Sequence, residues 1–210
     1  AALAGARDIV AEEIAEDPDT RSELRRLFEK RAVLSSTVVR KHAEEREAAT
    51  YRDYFEWAEP LARAPSHRIL AVLRGSNEGL LRVRARPEAD DAYVRLRRRH
   101  LDGRGFAAEQ MELALVDAYD RLLLPSLERE ALKAAKERAD AEAIRIFVTN
   151  LRELLMEAPF RGRRLLAIDP GFRTGCKMVA LDAQGLLIDN TTIFPTLGEG
   201  RRTEAASVVR

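Results

Sequence analysis

The stretch Leu165-Leu166-Ala167-Ile168-Asp169-Pro170-Gly171-Phe172-Arg173-Thr174-Gly175 runs from a dense apolar segment into a carboxylate and then at once into a turn rich in Gly and Pro. An apolar run of this length, bounded by turn residues, reads as a strand buried on both faces. Side chains alternate along a strand, so Leu165, Ala167 and Asp169 share one face while Leu166 and Ile168 share the other. Asp169 then stands at the carboxyl end of a central strand, where α/β sheets place their chemistry. Pro170 offers no backbone donor, and Gly171 and Gly175 tolerate positive φ, so the chain can reverse sharply just past the acid.

Downstream the strand-like period continues. Apolar runs at 176–181 and 186–194 flank Asp182-Ala183-Gln184-Gly185, a hairpin turn with Gly at its end. Three strands and then a helix beginning near Thr203 form the opening of an RNase H-like fold. In that fold the first strand ends in a metal-binding Asp, and two-metal nucleases clamp a phosphodiester with several such acids. Asp169 fits the first position, whereas Asp182 reads as a turn residue and Asp189 as an exposed strand residue.

Upstream the pattern is helical. Residues 1–16 form one helix, closed by Asp17-Pro18-Asp19, and Pro18 or Asp19 opens a second whose apolar face is Leu24, Leu27 and Phe28. Ser35, Ser36 or Thr37 is expected to cap a third helix through Val38, Val39 and His42, with its polar portion, Lys41 to Arg46, on the surface. Tyr51, Tyr54, Phe55 and Trp57 make the densest aromatic patch, and their spacing suits packing against neighbouring helices better than a stacking platform for bases. Pro60 and Pro65 interrupt any long helix there.

Two short apolar runs, 69–73 and 80–86, flank Arg74-Gly75-Ser76-Asn77-Glu78-Gly79 and predict a β-hairpin. The second run alternates, with Leu81, Val83 and Ala85 on one face and Arg82, Arg84 and Arg86 on the other. Three guanidiniums on one face could hold a phosphate backbone. A solvated face paired with nearby acids is the competing reading. From residue 90 to 159 the helical period returns, carrying the basic run Arg95, Arg97, Arg98, Arg99 and His100. Met111, Leu115, Ala118 and Leu122 repeat at helical spacing, and Pro125 must start or kink a helix. Ile144, Phe147, Val148, Leu151, Leu154 and Leu155 form the cleanest amphipathic stripe and predict a core-facing helix. Pro159, Gly162 and the trio Arg161, Arg163 and Arg164 read as a linker, placing the domain boundary near residue 160.

The composition narrows the class. The 210 residues are 46% hydrophobic and 34% charged, with aromatics at 6%, which favours helix-rich packing around an ordinary core. A formal net charge of +1 gives no bulk attraction to a polyanion, so binding of one must come from local clusters. A single cysteine, Cys176, excludes an internal disulfide and fits the cytoplasm. No apolar stretch approaches a bilayer span and no signal peptide is visible, so no membrane partner is expected. Both ends fall inside helical patterns, so the chain reads as a segment of a longer protein.

Other candidate sites are sparse. His42, His67 and His100 lack ligand or triad spacing, and Cys176 reads as a small buried residue. The connection from Gly75 to Gly79 lacks the lysine of a phosphate-cradling loop, and no small-molecule cofactor is expected.

The motif Asp169-Pro170-Gly171-Phe172-Arg173-Thr174-Gly175 resembles the opening of the YqgF/RuvC-like domain in the Tex family of bacterial transcription accessory proteins. Ala4-Gly5-Ala6-Arg7-Asp8-Ile9, Tyr51-Arg52-Asp53-Tyr54-Phe55, Pro65-Ser66-His67-Arg68 and the segment from Leu73 to Gly79 resemble family segments in the same order. So do Asp117-Ala118-Tyr119, Arg121-Leu122-Leu123, Pro125-Ser126 and Asn150-Leu151-Arg152. The resemblance implies a mainly α fold with a small β-hairpin at residues 1–160, followed at 161–210 by the opening strands of an RNase H-like (YqgF/RuvC-like) α/β domain. It implies a cytoplasmic, non-catalytic scaffold that binds RNA or DNA and works with the transcription machinery, without cofactors.

The expected nucleic-acid contacts are Arg82, Arg84, Arg86, Arg97, Arg98, Arg99, Arg161, Arg163, Arg164, Arg173 and Lys177. Asp169 carries over only as a vestigial first acid. The alternative is a RuvC-like nuclease using Mg²⁺ at Asp169, with its remaining acids outside this chain. The family's helix-hairpin-helix elements and OB-fold RNA-binding domain have no counterpart in these residues.

Overall fold

The computed structural model describes residues 2–39, 48–158, 160, 162–171, 173–196 and 198–209. Expectations that fall on Lys41 to Arg46, His42, Pro159, Arg161 and Phe172 lie outside the described residues. The chain divides into two compact units, Ala1–Asn150 and Leu151–Arg210. It is mainly helical, with two small antiparallel sheets.

The first unit opens with α1 (Ala2–Glu16) and α2 (Pro18–Arg31). The break between them follows from Asp17, whose carboxylate accepts the Thr20 backbone N–H at 2.9 Å, and from Pro18, which needs no donor at the first helical position. Leu24, Leu27 and Phe28 are buried on α2, as the spacing predicts.

A strand follows where a helix was expected. Val33–Val38 is β1, the centre of a sheet ordered β2-β1-β3, so Ser35, Ser36 and Thr37 lie inside a strand rather than at a helix start. β-branched and small residues suit a pleated, half-buried surface, and the run alternates Leu34 and Ser36 inward. Ser36 is satisfied locally, donating to the Tyr54 carbonyl at 2.6 Å. A 3-10 helix (Ala48–Tyr54) then leads into β2 (Glu56–Pro60). The aromatic patch is packing: Tyr51 is buried, and Tyr54 meets Trp57 edge-on with centroids 5.5 Å apart.

The predicted hairpin at 69–86 is corrected in its first half. Residues 69–73 belong to α3 (Ser66–Asn77), and the strand β3 (Leu81–Arg86) pairs with β1 instead. Ile69 and Val72, three residues apart, are fully buried, which is helical rather than strand spacing. Gly75 lets α3 close on β3, since a Cβ there would lie 2.7 Å from Leu81 Cδ1.

Helices α4 (Ala89–His100), α5 (Phe106–Asp117) and α6 (Leu124–Leu155) complete the helical region. A π turn, Ala118–Leu123, joins α5 to α6, and the Leu124 N–H reaches back five residues to the Tyr119 carbonyl. Pro125 cannot donate at all, so the change of register just before it absorbs the break without ending the helix. Tyr119, on that turn, is buried and packs edge-on against Tyr93 with centroids 5.2 Å apart.

The stripe on the last part of α6 is exposed among the described residues, against the expectation of a core-facing helix. Phe147, Leu154 and Leu155 are 64%, 65% and 76% exposed. Amphipathic spacing identifies an apolar face but says nothing of whether a partner element lies against it.

In the second unit β4 (Leu165–Asp169), β5 (Cys176–Leu181) and β6 (Leu187–Ile193) form an antiparallel meander ordered β4-β5-β6, followed by α7 (Glu199–Val209). The strand, strand, strand, helix order is the one expected. The position of β4 is not: it is an edge of this sheet, pairing among the described residues with β5 alone, and Leu166 and Ile168 are more than half exposed. An apolar run announces the capacity for burial on both faces, while actual burial depends on what packs there.

Candidate nucleic-acid interface

The outer face of β3 carries alternating guanidiniums because side chains alternate along the strand. Leu81 and Ala85 are buried while Arg82 and Arg84 are exposed. Across the sheet, Arg82 sits opposite Thr37 and Arg84 opposite Ser35, so the neighbouring strand offers hydroxyls and no carboxylate. Among the described residues neither arginine has an ion-pair partner. Arg86 differs. It forks onto Glu128 of α6 through Nε and Nη2 at 2.9 and 2.7 Å, and Glu128 also accepts the Ala85 backbone N–H at 2.9 Å. One carboxylate thus binds the open edge of β3 to α6.

The basic run on α4 is committed to helix packing. Arg97 forks onto Glu112 of α5 through Nε at 2.8 and 3.0 Å and lies 5.7 Å from the Tyr93 ring centre. Arg98 reaches Glu23 at 2.8 Å, and Arg99 meets both Asp17 and Asp19. His100 hydrogen-bonds Thr20 at 2.7 Å, and its burial holds its pKa below the usual histidine range. These pairs staple α4 to α2 and α5. They leave Arg97, Arg98 and Arg99 with carboxylates where a phosphate would have to go.

The Asp17 carboxyl is held at about 2, against an ordinary 3.8, first by the Thr20 hydroxyl and amide and then by Arg99. Since folding lowers this pKa, its stabilisation is complete above about pH 4 and is lost as pH falls through about 2. Thermal unfolding of the parent and of Asp17→Asn should therefore differ most near neutral pH, the gap closing between pH 4 and 2. A gap that stays constant across that range would show that the ionised cap is not the source.

In the second unit Asp169 lies exposed at the carboxyl end of β4, directly opposite Lys177 of β5. The loop beyond it is closed by the Gly171 N–H, which donates to the Gly175 carbonyl at 3.1 Å. Arg163, Arg164, Arg173 and Lys177 are all exposed, and Arg161 is outside the described residues. Asp182 is a turn residue as expected, its Oδ1 accepting the Gln184 and Leu186 amides at 2.9 and 2.8 Å. Among the described residues no group of three or more His, Cys, Asp or Glu side chains is placed to hold a metal ion. Cys176 is half-buried at the start of β5.

One cluster escaped the sequence reading. Arg26, Lys30 and Arg31 of α2 converge with Arg95 and Arg98 of α4 around a cleft of about 370 Å³, joined by Glu23 and floored by Leu27. The spacing of four between Arg26 and Lys30, and of three between Arg95 and Arg98, was a visible signal that each pair shares a helix face. Only the antiparallel docking of α2 against α4, fixed by Arg31–Asp91 at one end and Arg98–Glu23 farther along, brings the two faces together.

Comparison with known proteins places both units. Residues 1–147 match the family described as Tex central region-like, and residues 163–210 match the Tex protein YqgF-like domain. The chain is 37% identical over 216 residues to Protein tex of Bordetella pertussis, covering 93% of this chain and 26% of that protein. It is 36% identical over 204 residues to the Transcriptional accessory protein Tex of Neisseria gonorrhoeae, covering 92% and 26%. It is 30% identical over 209 residues to the human S1 RNA-binding domain-containing protein 1, covering 94% and 21%. The chain therefore spans about a quarter of the length of such relatives. Among the described residues no helix is long and apolar enough to cross a membrane.

Proposed function

The chain belongs to the Tex family, and on that premise we propose that it is a non-catalytic nucleic-acid-binding scaffold of a transcription accessory factor. The contacts with RNA or DNA are Arg82 and Arg84 in the first unit and Arg163, Arg164, Arg173 and Lys177 in the second. The observation that carries this reading is the contrast in pairing. Arg86, Arg97, Arg98 and Arg99 are neutralised by the chain's own carboxylates, while Arg82 and Arg84 stand exposed on an open strand face without one among the described residues. The names of the relatives support it, one as a transcriptional accessory protein and another as carrying an S1 RNA-binding domain.

The reading needs no cofactor and places the protein in the cytoplasm beside the transcription machinery. Nuclease chemistry at Asp169 would need further acids within reach of it, and the residue facing it across the sheet is Lys177. That cation is suited to a phosphate rather than to Mg²⁺.

Fluorescence anisotropy with labelled single-stranded RNA and DNA tests the proposal. Affinity should fall steeply between about 50 and about 200 mM salt. Arg82→Ala with Arg84→Ala should weaken binding about 10-fold at low salt and reduce the log–log salt slope by about 1.4, the value for two lost phosphate contacts on a single strand. Affinity that is flat with salt, or a double variant with an unaltered slope, would sink the contact assignment.

A further inference from the structure

We infer that the α2–α4 cleft is a phosphate-binding site for polynucleotide backbone, separate from the β3 face, in which Arg26 and Lys30 supply the free charge and the carboxylate-paired Arg31, Arg95 and Arg98 form the border. The inference rests on the nucleic-acid-binding reading above and extends it to a surface that no sequence motif marks.

The charge balance is the first argument. Five cations line or border the cleft, and two carboxylates, Glu23 and Asp91, approach them. Glu23 is taken by Arg98 at 2.8 Å, and Asp91 is shared between Arg31 at 2.7 Å and Arg95 at 3.8 Å. Arg26 and Lys30 have no carboxylate partner among the described residues. Arg26 Nε makes only a 3.3 Å bond to the Ser22 carbonyl of its own helix. The cleft therefore holds a surplus of three positive charges in a protein whose formal net charge is +1.

Shape is the second argument. The space, about 370 Å³ and open to solvent, is lined by side chains of both helices, so a phosphate in it would be approached by cations from α2 and α4 at once. α2 and α4 run antiparallel, so their dipoles oppose each other and the side chains set the local field. Arginine dominates the lining, and its planar fork matches phosphate oxygens. The ordinary explanation for basic residues here is that Lys30 and Arg31 complement the carbonyl end of α2. That account does not reach Arg26 or Arg95, which lie away from any helix end and still face the cleft.

The test uses the 210-residue chain and a fluorescein-labelled oligouridylate of about 12 nucleotides, with inorganic pyrophosphate as a second probe followed by amide NMR shifts. Arg26→Glu with Lys30→Glu is compared with Arg129→Glu plus Lys133→Glu, an equal charge change on exposed positions of α6. The cleft variant should lose at least about 10-fold more affinity than its charge-matched control, and the salt slope should fall by about 1.4. Arg26→Gln with Lys30→Gln should show the same slope change with a smaller loss, which keeps the test informative if the glutamates disturb α2.

Equal losses in the cleft and control variants would overturn the site in favour of a general field. Loss on Arg82→Ala plus Arg84→Ala with none at the cleft would overturn this inference and leave the function standing. No oligonucleotide binding by the parent chain would remove both. Pyrophosphate shifts at α2 and α4 without oligonucleotide binding would reassign the cleft to a small phosphorylated ligand and overturn the polynucleotide assignment.

Discussion

Glu128→Ala should lower the stability of the helical unit by about 3 kcal/mol, because one carboxylate satisfies three donors, Ala85 N–H and two nitrogens of Arg86. The side chain of Glu128 is 12% exposed, and that of Arg86 is 38% exposed. Removing the acid leaves a partly buried guanidinium without its hydrogen-bonded partner, with Asp120 acting on it only through space, and deprives the Ala85 N–H on the strand edge of its acceptor. The exposure of Arg86 lets water recover part of the loss, which holds the figure below the upper range for a buried pair. For a unit of this size the melting temperature should fall by about 6–12 °C. Glu128→Gln keeps an acceptor for Ala85 but not the charge, and should recover about a third of the loss. A melting temperature within about 1 °C of the parent for Glu128→Ala would show that α6 does not hold the edge of β3.

Gly175→Ala should cost the second unit about 3 kcal/mol. Gly175 has φ +78°, a left-handed conformation that costs an alanine about 1–2 kcal/mol on its own. The position is also crowded: a Cβ would lie 2.6 Å from Phe194 Cε1, 2.8 Å from Thr192 Cγ2 and 2.9 Å from the Ile193 carbonyl. The last of these is backbone in the paired strand and cannot swing aside, so overpacking adds about 1–2 kcal/mol. Among the described residues of this unit only Met178 and Ala205 are buried hydrophobics. A core this thin supplies only about 3–5 kcal/mol, so the substitution should open most of the sheet. Amide exchange on β5 and β6 should accelerate about 100-fold while that on α2 stays as in the parent. Unchanged protection of β5 would mean that the turn relaxes without strain and that the motif does not need its glycine.

Legibility followed the range of the interactions involved. The break between α1 and α2 is set within four residues, by the Asp17 cap on Thr20 and by Pro18, and it stands where the pattern puts it. The Asp182 turn and the alternation along β3 are equally local, and both hold. β1 was missed because Ser35, Ser36 and Thr37 suit a helix cap and a strand alike. The choice between them is made by β2 and β3 on either side. The first half of the expected hairpin failed similarly, since a short apolar run has the same composition in helix or strand.

The sequence by itself determined the family, the mainly helical character, the strand order of the second unit and the alternating arginines of β3. These rest on covalent order, turn chemistry and side-chain periodicity, all of which act over a few residues. Only the tertiary structure decided which cations remain available. Arg98 and Arg26 are both arginines on helix surfaces, but one meets Glu23, seventy-five residues away in the chain, and the other meets no carboxylate among the described residues. Tertiary packing likewise left β4 at the edge of its sheet and gathered the α2–α4 cleft. Charge pairing and burial depend on through-space distance, which residue spacing does not encode beyond a helical turn or a strand pair.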